Sequence, residues 1–322
     1  MRDPSASRKP WKHSEMISEI ASEVIVCPIC KNTPVFNSER VICEKCNKSY
    51  SIKNGIIDFL AEETLDERKS LNSEYHDKEV EFYDDIHLHM SKENRLFRRI
   101  TQNLEGCKVL DIGTGTGFVL DNFQRNVKFV CLDISSKMLR TALAKHPGRI
   151  SLALRADAES LPINHRIMDI VVISSTLHHL PDWEKCMTEA NRVLRKEGKL
   201  IIFHEPCLPH RHGFFYRISR RIYKKAYGPK IRQLQKNRLE KAEDIAQRIF
   251  GLDREESWRK MQEVNRIVNV HEGFDPFTLL SSTDYKNVTV KTYCAEQTAY
   301  QELMSTLFPK NGELFYITAT KR

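Results

Sequence analysis

No apolar run in this chain approaches the roughly 18 residues that a bilayer-spanning helix needs, and no charged, apolar and small-residue leader of an export signal is visible at its start. A transmembrane protein and a secreted, disulfide-stapled module are therefore set aside, and a reducing, cytoplasmic setting is expected. Internal repeats and low-complexity tracts are also missing, which removes repeat architectures. Glycine is scarce, 12 in 322 residues, yet three fall at alternate positions within 113–117. What remains is the composition of an ordinary globular protein, 40% hydrophobic and 29% charged, long enough for one full domain and a small one.

The glycines close an apolar run, Val109-Leu110-Asp111-Ile112-Gly113-Thr114-Gly115-Thr116-Gly117. An apolar strand running into glycines at a helix start brings backbone close to a ligand and presents unpaired N–H groups to it. The dinucleotide fingerprint is lacking, because that spacing is G-x-G-x-x-G with a pyrophosphate on the helix end. Here Asp111 precedes the turn, and a carboxylate suits an ammonium better than a pyrophosphate. Three more apolar runs follow, each ending in polar groups. Phe129 to Leu132 ends at Asp133, placed to meet ribose hydroxyls, with Ile134 to flank an adenine. Ile150 to Leu154 leads to Asp157 and Ala158, and Asp169 to Ile173 opens into Ser174 and the His178-His179 pair. Continuous rather than alternating hydrophobicity predicts parallel strands covered on both faces.

From Tyr75 to about Pro206 the sequence resembles the class I S-adenosylmethionine (SAM)-dependent methyltransferases, in particular the group that includes ubiquinone and menaquinone biosynthesis enzymes. The resemblance rests on the glycine turn, on Leu177-His178-His179-Leu180-Pro181-Asp182, and on Asn191 to Ile202, where the group's usual Pro-Gly-Gly is here Lys196-Glu197-Gly198. It implies an α/β, doubly wound, Rossmann-like sheet of seven strands, ordered 3-2-1-4-5-7-6 with the last strand antiparallel. It also implies SAM contacts for Tyr83, Asp111, Gly113, Gly115, Gly117, Asp133, Ile134, Asp157, Ala158 and Ser174. His178 or His179 is the expected general base, since both follow the fourth strand and histidine titrates near neutrality; His204, Glu205 and His271 rank behind them. The Asn/Asp-Pro-Pro-Tyr/Phe segment of adenine amino methylation is absent after the fourth strand, and Pro206-Cys207 follows the fifth strand rather than the fourth. These absences favour a small or lipid-like acceptor methylated on O, N or C.

Ahead of this region stand two knuckles, Cys27-Pro28-Ile29-Cys30 and Cys43-Glu44-Lys45-Cys46. Paired C-x-x-C knuckles at this spacing predict a structural zinc site whose four thiolates leave no open position for catalysis. The stretch to Leu60 resembles small zinc-ribbon proteins that activate methyltransferases of tRNA and translation factors, with serine and isoleucine in place of two prolines. The expected organisation is a loose tail over 1–20, a ribbon over 21–63, a helical connector over 64–104, and a methyltransferase domain over 105–322. A helical insertion, about 208–274, follows the fifth strand. Within it, residues 209–241 hold eleven Lys or Arg against Glu240 alone, so a net +10 sits in a chain of +8. Phe214, Ile218, Ile222 and Ala226 recur every four residues there, predicting an amphipathic helix. Such a helix fits a solvated lid, an anionic membrane surface, or RNA gripped together with the ribbon. A noncatalytic, methyltransferase-like scaffold is the remaining alternative, and the sequence sets no oligomeric state.

Overall fold

The structure, a computed structural model, describes residues 20–60, 65–84, 91–124, 126–208, 236–237, 239–280, 284–293 and 313–322. The expected amphipathic helix and nearly all of the tail and basic stretch lie outside them. The ribbon contributes β1 (Val35–Phe36), β2 (Arg40–Cys43), β3 (Lys48–Lys53) and β4 (Ile56–Asp58). The core contributes β5 (Lys108–Ile112), β6 (Lys128–Asp133), β7 (Ile150–Arg155), β8 (Met168–Ser174), β9 (Leu194–Pro206), β10 (Tyr285–Tyr293) and β11 (Leu314–Lys321). All eleven belong to one sheet, in the order β1-β2-β3-β4-β7-β6-β5-β8-β9-β11-β10. Strands β7, β6, β5, β8 and β9 run parallel, and β11 pairs antiparallel with both β9 and β10.

The parallel core strands carry the buried runs expected of strands covered on both faces: Val109, Leu110 and Ile112 of β5, and Val171, Val172 and Ile173 of β8, are at most 1% exposed. Alternate residues then feed two separate cores. Leu110, Ile112, Val171 and Ile173 pack with the ribbon's Ile25 and Ile57 on one face. Val109, Phe129, Val172 and Phe203 pack with Phe97 and Tyr293 on the other.

The ribbon is joined to the core as sheet rather than tethered beside it. Strand β4 pairs parallel with β7, Ile56 against Ala153 and Asp58 against Arg155, which covers the edge that β7 would otherwise expose. Further bonds tie the knuckle to the loop beyond β7: Val26 N–H donates to the Pro162 carbonyl at 3.1 Å, Ser160 Oγ donates to the Pro28 carbonyl at 2.9 Å, and Lys31 Nζ donates to the Leu161 carbonyl at 3.0 Å.

Helices α1 (Glu67–Glu79), α2 (Ser91–Thr101), α3 (Phe118–Asn122), α4 (Ser136–Lys145), α5 (Trp183–Val193) and α6 (Arg254–Val268) surround the sheet. Their starts follow local chemistry. The side chains of Asp66, Ser135, Asp182 and Asp253 each accept a backbone N–H three residues on, capping α1, α4, α5 and α6.

Candidate functional site

A crevice opens at the carboxyl ends of β5, β6, β7 and β8, the edge where open α/β sheets take ligands. Of the residues expected from sequence, Tyr83, Gly113, Gly115, Asp133, Ile134, Asp157, Ala158, Ser174 and His179 line it. Asp111 lies beneath the glycine turn with no exposure, and Gly117 begins α3 against the His146 ring. His178 is turned away from the crevice walls.

Asp133 shapes the turn: its Oδ2 accepts the Gly115 N–H and its Oδ1 the Ser135 N–H, both at 2.8 Å. Burial raises its carboxyl above the usual range, opposed by these two N–H groups. Asp111 is the more unusual group. Both of its carboxylate oxygens are buried without a hydrogen-bond partner among the described residues, the nearby Thr114 hydroxyl donating to the Asp111 backbone carbonyl at 3.1 Å instead; burial pushes the carboxyl up to about 8, with Thr114 opposing and the Asp133 charge adding. A buried carboxylate left in this condition fits a cationic ligand group nearby.

Helix α1 lies across the crevice and supplies residues that the sequence reading missed. Lys69 Nζ bridges Asp157 and Glu159 at 2.8 and 2.7 Å, Ser73 Oγ donates to the Ile134 carbonyl, and His76 lines the wall with its Nδ1 2.6 Å from Glu79. Burial opposes the charged His76 ring, yet Glu79 holds its pKa above the ordinary value. The missed signal was a helical period of polar residues, 69, 73 and 76, in a segment too hydrophilic to show an apolar face.

The histidine pair divides its work. Burial, with His178 and His76 adding, drives the His179 pKa well below its ordinary value, so the ring is neutral. Its Nδ1 lies 3.1 Å from the Val268 carbonyl, an acceptor only, so Nδ1 carries the proton and Nε2 the lone pair. His178 Nδ1 instead meets Glu205 at 2.8 Å. Glu205 is fully buried and accepts the N–H groups of Thr176, Leu177 and His178 at 2.6, 2.9 and 3.3 Å. It pins the loop that presents His179. Glu205→Ala strands those donors and is expected to reduce stability by about 3–5 kcal/mol, read as a lower urea midpoint, with Glu205→Gln falling between the two.

The crevice is narrow, about 80 Å³. A chamber of about 400 Å³ adjoins it and shares Tyr83, Gly113, Ser174 and Ser175. Together they reach the size range of ligand sites. Two non-glycine residues with left-handed backbone, Ser175 (φ 51°) and His204 (φ 59°), face each other there across β8 and β9, joined by a Ser175 Oγ bond to the His204 carbonyl at 3.2 Å. Such strain concentrates at working sites.

In the ribbon, the four cysteine sulfurs lie within 4.8 Å of one another. Cys27 and Cys46 are 3.6 Å apart and Cys30 and Cys43 3.4 Å, near the edge of about 3.8 Å that a tetrahedron of ~2.3 Å Zn–S bonds requires. The donor set fits structural zinc, and Cys27, Cys30, Cys43 and Cys46 would hold it.

Comparison with known proteins accords with this geometry. Residues 110–202 match the family model of the methyltransferase domain. The chain is 34% identical over 107 residues to malonyl-[acyl-carrier protein] O-methyltransferase of Hahella chejuensis, covering 32% of this chain and 38% of that protein. To the ubiquinone/menaquinone biosynthesis C-methyltransferase UbiE of the same organism it is 34% identical over 130 residues, covering 36% and 52%. It thus spans about half or less of the curated relatives it matches. The Haloferax volcanii complex of the Trm112 methyltransferase activator with a methyltransferase matches with a TM-score of 0.48 at 15% identity, covering 80% of this chain and 100% of that one, a likeness too loose to bear on function. This chain carries a class I SAM-dependent methyltransferase domain.

Proposed function

We propose that the protein transfers the methyl group of SAM to an O, N or C atom of a small or lipid-like metabolite. The observation that carries this reading is the orphaned Asp111 carboxylate beneath a glycine turn, with Asp133 and Asp157 presented by the next two strand ends. Asp111 would answer the methionine ammonium, Asp133 the ribose, and Asp157, held by Lys69, the adenine amino group. SAM supplies a methyl already attached to a good leaving group, so the chain needs only to align the acceptor, exclude water and take up a proton where the acceptor carries one. His179 is suited to that last task, since it is neutral, its tautomer is fixed, and its Nε2 is the unprotonated nitrogen.

Similarity to a ubiquinone/menaquinone biosynthesis C-methyltransferase and to a malonyl-[acyl-carrier protein] O-methyltransferase supports a small or lipid-like acceptor, and no helix among the described residues is long and apolar enough to cross a membrane. Tritiated SAM incubated with the protein and either a metabolite extract or total RNA tests the reading. Label is expected in small molecules; label in RNA alone would overturn it.

Asp111 adds a pH test. Its folded pKa, about 8, lies above the unfolded value of about 3.9. Ionisation is therefore easier in the unfolded chain, and stability falls as pH rises between those two values. Asp111→Asn is expected to raise the melting temperature of the cofactor-free protein more at pH 8.5 than at pH 5, while removing SAM binding in calorimetry. An equal shift at both pH values would show that the carboxyl is not perturbed.

A further inference from the structure

The chamber does not end at Lys145. It continues, through shared walls at Arg98, Asp121, Asn122 and Lys145, into an open groove of about 1060 Å³ between α2, α3 and the turn after α4. Five cations line this groove, Arg95, Arg98, Arg99, Lys145 and Arg149, against the single carboxylate of Asp121. Arg95 stands one helical turn from both Arg98 and Arg99, and all three are exposed; Arg98 donates to Asn122 at 2.9 Å, and none of the three makes a salt bridge to a described carboxylate. Lys145 is paired with Asp84 and Arg149 donates to the Leu120 and Gln124 carbonyls, which leaves the like charges of α2 to repel one another. His146, 8% exposed, closes the groove's inner wall with its Nε2 buried against Gly117, where a Cβ would meet it at 2.6 Å, and 3.7 Å from an Asp121 oxygen, so the groove's polar lining is left to its cations.

We infer that this groove binds a phosphate ester carried by the acceptor, whose reacting atom then reaches through the chamber to Ser175, the wall it shares with the crevice that His179 lines. The inference rests on the methyltransferase reading and names its substrate class. Arginine forks match phosphate oxygens in pairs, which lysine ammoniums do not. Single-stranded RNA fits less well, because base stacking needs open aromatic faces. The one aromatic residue of the lining, Phe123, is buried at 6% exposure.

The full chain is titrated by calorimetry with sn-glycerol 3-phosphate, with SAM as a separate titrant, and is sedimented with phosphatidylglycerol or phosphatidylcholine vesicles. A single-stranded RNA oligomer forms the last arm. Binding to glycerol phosphate, or selectively to phosphatidylglycerol vesicles, is expected, and the pair Arg95→Glu with Arg99→Glu should weaken it about tenfold or more, as loss of charge-assisted bonds implies. SAM affinity should stay unchanged in that variant. Soluble-ester binding marks a free substrate, and vesicle binding alone marks a membrane-borne headgroup; both carry the phosphate. The inference fails if wild-type protein ignores both probes, if charge reversal leaves binding intact, or if RNA binds while both phosphate probes are ignored. Loss of SAM binding in the wild type would instead overturn the methyltransferase reading and leave the groove standing.

Discussion

Stripping the ribbon of metal, by chelator or by Cys43→Ala, is expected to lower the melting temperature of the whole chain by about 10 °C or more. Zinc held by four thiolates contributes folding free energy of about 10–16 kcal/mol in small finger peptides. Part of that would be recovered by the rest of the protein, and a loss of ~4–5 kcal/mol already shifts a domain of this size by that amount. The effect should not stay in the ribbon. Cys43 ends β2, whose register through β3 and β4 covers β7, and the Pro28 carbonyl between the first two cysteines accepts from Ser160, three residues beyond Asp157. A frayed knuckle therefore loosens the crevice wall, and SAM affinity should drop with the metal. Metal analysis is expected to find one zinc per chain. Ile29→Ser, at a knuckle tip 59% exposed, is the control and should change neither melting nor affinity. A single unchanged melting transition after metal loss would show that the ribbon does not brace the core.

How much of this could be read in advance differs by element. The glycine turn and the carboxylates at the following strand ends were legible because each is a short-range pattern, a strand period ended by polar residues. Four cysteines in two pairs were legible for the same reason. The union of ribbon and core into one sheet was not, because β4 and β7 pair through backbone groups that every sequence possesses, and Ile56-Ile57-Asp58 gives no hint of which edge it will meet. The roles of Lys69 and His76 were hidden because a tertiary contact, α1 lying over the crevice, buries residues that hydropathy assigns to solvent. The histidine pair was legible as a pair. Its division, His179 into the crevice and His178 onto Glu205, depends on a carboxylate 27 residues further along and could not be seen locally.

Two glycines with nearly the same backbone separate local strain from a working contact. Gly113 has φ of 74° and Gly148 of 73°. Alanine at either enters the left-handed region at about 1–2 kcal/mol, and both variants should lose some stability. At Gly148 nothing lies within 4 Å of the added Cβ, so the loss ends there and SAM affinity should match wild type. At Gly113 the added Cβ would stand 2.1 Å from Thr176 Oγ1, which is fixed by its bonds to the Ile112 and Ser174 carbonyls at 3.2 and 2.9 Å. Neither side can yield cheaply. Relief requires the turn to lift from the loop after β8, which displaces Gly115 from Asp133. Each 1.4 kcal/mol is a factor of ten in affinity, so a lifted turn with a lost Asp133 bond should weaken SAM binding about 100-fold or more. Calorimetry on the two folded variants, checked by their melting curves, decides the matter. Gly113→Ala binding SAM within a few-fold of Gly148→Ala would mean that the cofactor does not lie against this turn.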